Sequence, residues 1–190
     1  MEETRMPETT GITIRQWRLE DAPHIMRLER QAKEGEPDLM DPKILFKCIK
    51  DSNVMHGIVL IENRRIMGFA AMLVPKTPYG IIRALRVDES RRLHKFGTLL
   101  LNRLFTDMDS FGKIFLSVSI DVRNTGALKF LTKKGQGFVI AALNEIRDTE
   151  SQKLIEATYE LTCPAPTGFN PKCVRFFVNG EETVNPLLKT

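Results

Sequence analysis

Apolar and polar positions along this chain repeat with two different periods, and the switches between them mark out its elements. "ITIRQWRL" sets Ile12, Ile14 and Gln16 against Thr13, Arg15 and Trp17, the period-two pattern of a strand. "EDAPHIMRLERQAKEG" changes to helical spacing, with Ile25, Leu28 and Ala32 on one side, an acidic start and Pro23 in the first turn. Gly35 and Pro37 stop that helix, and "DPKILFKCIKD" predicts a second one opened by Pro42. Two apolar runs, "GIVLIE" and "IMGFAAMLV", flank the polar "NRR" and predict a hairpin of largely buried strands, ended by Pro75 and Pro78. "YGIIRALRV" is a further strand.

Past Gly97, Leu100, Leu101, Leu104, Phe105 and Met108 share one helix face, the pattern of a core helix. "KIFLSVSI" predicts a strand, and "NTGALKFLTKKG" a short helix from an Asn124 cap to a Gly135 stop. "GFVIAALNEI" and "KLIEATYELTC" read as an antiparallel pair. After the linker "PAPTGFNP", Asn179-Gly180 within "VRFFVNGEETV" signals a two-residue hairpin turn. Its apolar face needs a cover, because a lone hairpin is marginal in water. It either caps this chain's own sheet or pairs with an identical chain, and a homodimer contact is the favoured expectation. The order of elements predicts an α/β fold: a mixed, mainly antiparallel central sheet with flanking helices and a C-terminal tail hairpin. It divides the chain into an arm (1–11), a main domain (12–162) and an extension (163–190).

Composition narrows the partners. The 190 residues suffice for one substantial core. Lys+Arg 28 against Asp+Glu 24 gives a net charge of +4, and there is no dense basic tract with interleaved aromatics. That argues against nucleic acid and suits a small polyanionic ligand. The apolar runs fall short of a membrane span and "MEETRMPETTG" lacks an apolar leader core, so a cytoplasmic protein without membrane contact is expected. Cys48, Cys163 and Cys173 are odd in number and lack metal-ligand spacing, which predicts reduced thiols and no metal.

The candidate chemistry begins at "RVDESRRLHKFGT", where Arg91, Arg92, His94, Lys95 and Gly97 gather at a helix start. A helix start is an anion site, because its first N–H groups lack partners and the macrodipole is positive there. Taken alone the stretch is either a solvated basic turn or a phosphate site.

The element order and three segments together resemble the GNAT superfamily of acyl-CoA-dependent N-acetyltransferases. The segments are "RVDESRRLHKFGT", "NTGALKFLTKKGQGF" and "ITIRQWRLEDAPHIMRL". The resemblance implies acetyl-CoA as cofactor and direct attack by an amine, with N–H groups polarising the carbonyl and much of the rate coming from positioning. It implies that Arg92, Leu93, His94, Lys95, Phe96, Gly97 and Thr98 hold the diphosphate, and that pantetheine pairs with Leu85, Arg86 and Val87. Asn124, Ala127 and Phe130 complete the implied cofactor contacts.

Three positions depart from the family pattern. Lys95 replaces the central glycine, which costs strain if its φ is positive. Leu131 stands where a tyrosine usually protonates the leaving thiolate, and "YGIIRALRV" carries no carboxylate base. Tyr79, Ser117 and Ser119 are therefore the candidates for ordering a water that takes the amine proton. Glu29, Glu34 and Glu36 form an expected acidic rim for a cationic acceptor, a primary amine on a small molecule or peptide. His56 reads as a strand-end polar group or a substrate contact. A catalytically degenerate acyl-CoA-binding or regulatory module stands as the alternative to an enzyme.

Overall fold

A computed structural model describes residues 11–31, 42–51, 53–133, 137–147, 151, 154–164, 176–179 and 181–183. Its strands are β1 (Ile12–Gln16), β2 (Met55–Glu62), β3 (Arg65–Leu73), β4 (Tyr79–Val87), β5 (Phe115–Asp121), β6 (Val139–Arg147), β7 (Leu154–Pro164), β8 (Phe176–Val178) and β9 (Glu181–Thr183). The α-helices are α1 (Ala22–Glu29), α2 (Pro42–Lys50), α3 (Phe96–Met108) and α4 (Thr125–Thr132). Asn124 caps α4 by accepting from the Ala127 N–H at 3.0 Å. The Gly135 stop lies outside the described residues.

The strands join one sheet in the order β1-β2-β3-β4-β5-β7-β6-β8-β9. Pairing is antiparallel except at β4–β5 and β6–β8. Two cores lie on its opposite faces. Under α3 and α4, Leu100, Leu101, Leu104 and Met108 pack on Ile58, Leu60, Ala70, Met72 and Leu116. On the other face α1 and α2 place Ile25, Leu28 and Leu45 over Val59, Phe69 and Ala71. Trp17 closes that second core by lying on Gly57, where an added Cβ would sit 2.1 Å from the indole. No described helix is long and apolar enough to cross a membrane.

The tail hairpin joins the sheet. Asn179, at φ +49°, turns β8 into β9 as the Asn-Gly pair predicts. The hairpin extends this chain's own sheet. β8 runs parallel to β6, Asn179 N–H donates to Leu143 O at 3.0 Å, and Glu145 N–H donates to Asn179 Oδ1 at 2.8 Å. The edge of β6 left free by β7 is the one that receives β8.

The feature that creates the site is a break in the sheet. β4 and β5 pair only from Tyr79↔Phe115 to Ile81↔Ser117 and then separate. The β3–β4 ladder shifts at the same level: Met72 faces Ile82 and Ala71 faces Ala84, leaving Arg83 as an extra residue. Such a bulge bends its strand. It also puts Ile82 in the core under α3 and Ala84 in the core under α1.

Candidate active site

A cavity of about 620 Å³ occupies the gap between the separated strands. Ile82 to Arg86 form one wall, and Val118 to Asp121 with Glu156 and Thr158 form the other. Asn124, Ala127, Phe130 and Leu131 of α4 also line it. Beyond Ile81↔Ser117 the β5-facing edge of β4 has no neighbouring strand among the described residues, so a strand edge opens inside the sheet.

The basic loop leads from this wall into α3. Asp88 accepts from the Ser90 N–H (3.1 Å) and hydroxyl (2.7 Å) and pairs with Arg27 at 2.5 Å. Burial alone would raise the Asp88 carboxyl, but the Ser90 and Arg27 hydrogen bonds prevail and hold it at about 2. The backbone then passes through left-handed conformations at Leu93 (φ +69°) and Lys95 (φ +65°). Lys95 is thus a residue with a Cβ in a conformation that favours glycine. The first intrahelical bond of α3 runs from Leu99 N–H to Lys95 O at 3.0 Å, so the N–H groups of Phe96 and Gly97 precede it. Gly97 is held small by packing: a Cβ there would meet the Phe130 ring at 3.3 Å.

The arginine side chains of the loop already have partners. Arg91 Nε donates to Glu62 Oε2 at 2.6 Å, and Arg92 Nη2 to Gln31 O at 3.3 Å. Exposed Leu93, His94 and Lys95 form the outer tip.

The expected site residues do not all converge. Leu85, Arg86, Ser119, Asn124, Ala127 and Phe130 line the cavity. Val87 follows on the same strand, and residues 92–98 lie beyond it. Ser117 sits at the closed end of the gap, paired with Ile81, while Tyr79 stacks on Phe115 with ring centroids 5.3 Å apart. Glu29 forms no exposed rim. It is 2% exposed, and its carboxylate faces Arg86 at 3.6 Å, because an arginine on the inner face of β4 demands a buried countercharge. Glu34 and Glu36 lie outside the described residues. His56 is buried, with Nε2 at 2.7 Å from Asp107 of α3, which also accepts from Arg103 Nε at 2.7 Å.

Other lining residues were not singled out from the sequence: Arg83, Asp121, Arg123, Glu156 and Thr158. A signal existed for two of them, since Glu156, Thr158 and Glu160 alternate in a strand whose Leu161 is buried. The Arg123 guanidinium holds the Asp121 carboxyl below its ordinary range. Burial pushes the Cys163 thiol up to about 11, which leaves little thiolate.

Residues 13–138 match the acetyltransferase (GNAT) family. This chain belongs to that family. As a GNAT protein it is an acyl-CoA-dependent N-acyltransferase. Among curated proteins none matches the GNAT chain in sequence. Solved structures share its fold. The ribosomal-protein-S18-alanine N-acetyltransferase of Escherichia coli superposes with a TM-score of 0.66 at 18% identity, covering 84% of this chain and 97% of that one. Salmonella typhimurium yncA, solved with its cofactor acetyl-CoA, gives 0.68 at 14% identity, covering 86% and 99%. The Staphylococcus aureus Mu50 N-acetyltransferase gives 0.67 at 18%, covering 82% and 99%.

Proposed function

We propose that this GNAT protein moves an acetyl group from acetyl-CoA to a primary amine. One observation carries the reading: a cavity runs between the separated β4 and β5, beside the start of α3, where the Phe96 and Gly97 N–H groups precede the first intrahelical bond. Those residues fit CoA. The open β4 edge at Leu85, Arg86 and Val87 offers amide partners to pantetheine, as an added strand would. Within residues 92–98 the Phe96 and Gly97 N–H groups at the start of α3 face a diphosphate, with the Lys95 ammonium at the tip. Ala127 and Phe130 close the cavity from α4. Bound acetyl-CoA supplies a thioester, from which the amine takes the acetyl group as a C–N bond forms and the C–S bond breaks, releasing CoA thiol.

Of the three hydroxyl candidates, Ser119 faces the cavity and is the group assigned to ordering the water that accepts the amine proton. Leu131 presents no acid to the departing sulfur. A thiol has a pKa of roughly 8.5, so its anion leaves without obligatory protonation. The acceptor is a small molecule or peptide amine.

The tests are sequential. Calorimetry with acetyl-CoA should show binding that weakens as salt rises. Thiol release is then followed over a panel of primary amines. Absence of binding at low salt overturns the reading. Binding without thiol release favours the second reading, an acyl-CoA-binding module, for which Lys95 in the loop and Leu131 in the cavity are the supporting observations.

A further inference from the structure

Of the charged residues lining the cavity, Arg86 is neutralised by Glu29, which does not line it, Asp121 and Arg123 neutralise each other, and two are left over. Arg86 and Glu29 face each other at 3.6 Å. Arg123 grips Asp121 through Nη2 at 2.6 Å and Nε at 2.9 Å. The other charged lining residues are Arg83 and Glu156. Both are exposed, and neither side chain makes a hydrogen bond or ion pair among the described residues.

Their positions give the two charges separate walls. Arg83 is the extra residue of the bulge, at the level where β4 leaves β5. Glu156 lies on β7, two positions before Thr158, which pairs with Asp121 at the far end of β5. A substrate between the walls thus meets a cation beside the closed end of the gap and an anion near its mouth. Inside a partly closed cavity such contacts are screened less than on an open surface. A singly charged amine would satisfy one residue and leave the other to water.

We infer that Arg83 and Glu156 select an acceptor of amino-acid type, whose carboxylate meets Arg83 and whose second ammonium group meets Glu156. The inference rests on the acetyl-transfer reading above and deepens it.

Four probes of equal chain length separate the two contacts: lysine, lysinamide, norleucine and norleucinamide. Acetyl-CoA binding is measured first by calorimetry, in the wild type and in Arg83→Gln and Glu156→Gln. Thiol release and calorimetric probe binding follow for each protein. The wild type should favour lysine over lysinamide and over norleucine by about tenfold each, the worth of one charge-assisted hydrogen bond. Arg83→Gln should abolish the preference for lysine over lysinamide and keep that over norleucine. Glu156→Gln should do the reverse, and both effects should appear mainly in KM. Equal use of the four probes, turnover of none, or a preference that survives its variant overturns this inference while acetyl-CoA binding leaves the wider reading standing. Loss of acetyl-CoA binding in the wild type removes both.

Discussion

Arg27 and Asp88 join α1 to the loop that enters α3, with Nη1 and Oδ2 2.5 Å apart. The same arginine donates to Ile66 O at 2.9 Å, and Gln31 Oε1 accepts from Glu89 N–H at 3.3 Å. The loop before α3 is thereby fixed to the end of a helix on the opposite side of the sheet from α3.

This pairing predicts an acid-sensitive increment of stability. Asp88 titrates near 3.8 when unfolded and at about 2 in the fold. A depressed carboxyl stabilises fully above the unfolded value and loses that contribution as pH falls from about 4 through 2. The increment is about 2 kcal/mol. Urea unfolding at pH 6 should show Asp88→Asn destabilised by at least that amount, with the gap to wild type narrowing at pH 3. A constant gap would show that the charge is not responsible.

Lys95 predicts a residue that can be improved. Its φ of +65° carries the steric cost of a Cβ in the left-handed region, roughly 1 kcal/mol. Lys95→Gly should raise stability or leave it level, and acetyl-CoA binding should persist if backbone N–H groups carry the diphosphate. A large loss of affinity would assign the contact to the ammonium instead. Gly97→Val should weaken binding in either case, because its side chain enters the space of Phe130.

Leu131 is 6% exposed and belongs to the core as well as to the cavity wall. Leu131→Tyr should therefore cost about 1–3 kcal/mol by overpacking. If the hydroxyl emerges in the cavity, thiol release should rise while acetyl-CoA affinity stays level. Loss of binding together with the stability would mean that the ring fills the cofactor space.

Lys113 predicts a structural clamp at the closed end of the gap. Its buried ammonium donates to Pro75 O and to Thr77 O, the latter at 2.7 Å, while Ile114 N–H donates to Pro78 O at 3.0 Å. Lys113→Met strips two carbonyls of a charged donor, and a loss of about 2–4 kcal/mol is expected in urea unfolding. A smaller change would mean that water reaches those carbonyls.

Much of this fold was legible because its elements follow local pattern. "YGIIRALRV" spans the same nine residues as β4, and the leucines read as core on α3 are buried. Pairing between distant elements was not legible. Glu29 reads as a solvated helix end until its partner Arg86 is known, and nothing in the alternation of β5, β6 and β7 announces that β7 lies between the other two. The Asn-Gly turn was readable, whereas the β6 edge that receives the hairpin required the whole sheet. The loop's glycine preference was readable at Lys95, but the equal twist at Leu93 had no marker.

Arg83 gives the enzyme an unusual genetic vulnerability. Because it is surplus to the ladder, its codon could be deleted in frame and Ile82, Ala84, Leu85 and Arg86 would keep the partners and faces they have now. What would vanish is the bend, so β5 could continue along β4 and seal the gap. Such a deletion should still unfold cooperatively in urea yet show no heat with acetyl-CoA. Three nucleotides would then separate a working transferase from an inert sheet of the same topology, a short step by which a lineage could keep the scaffold and abandon the chemistry.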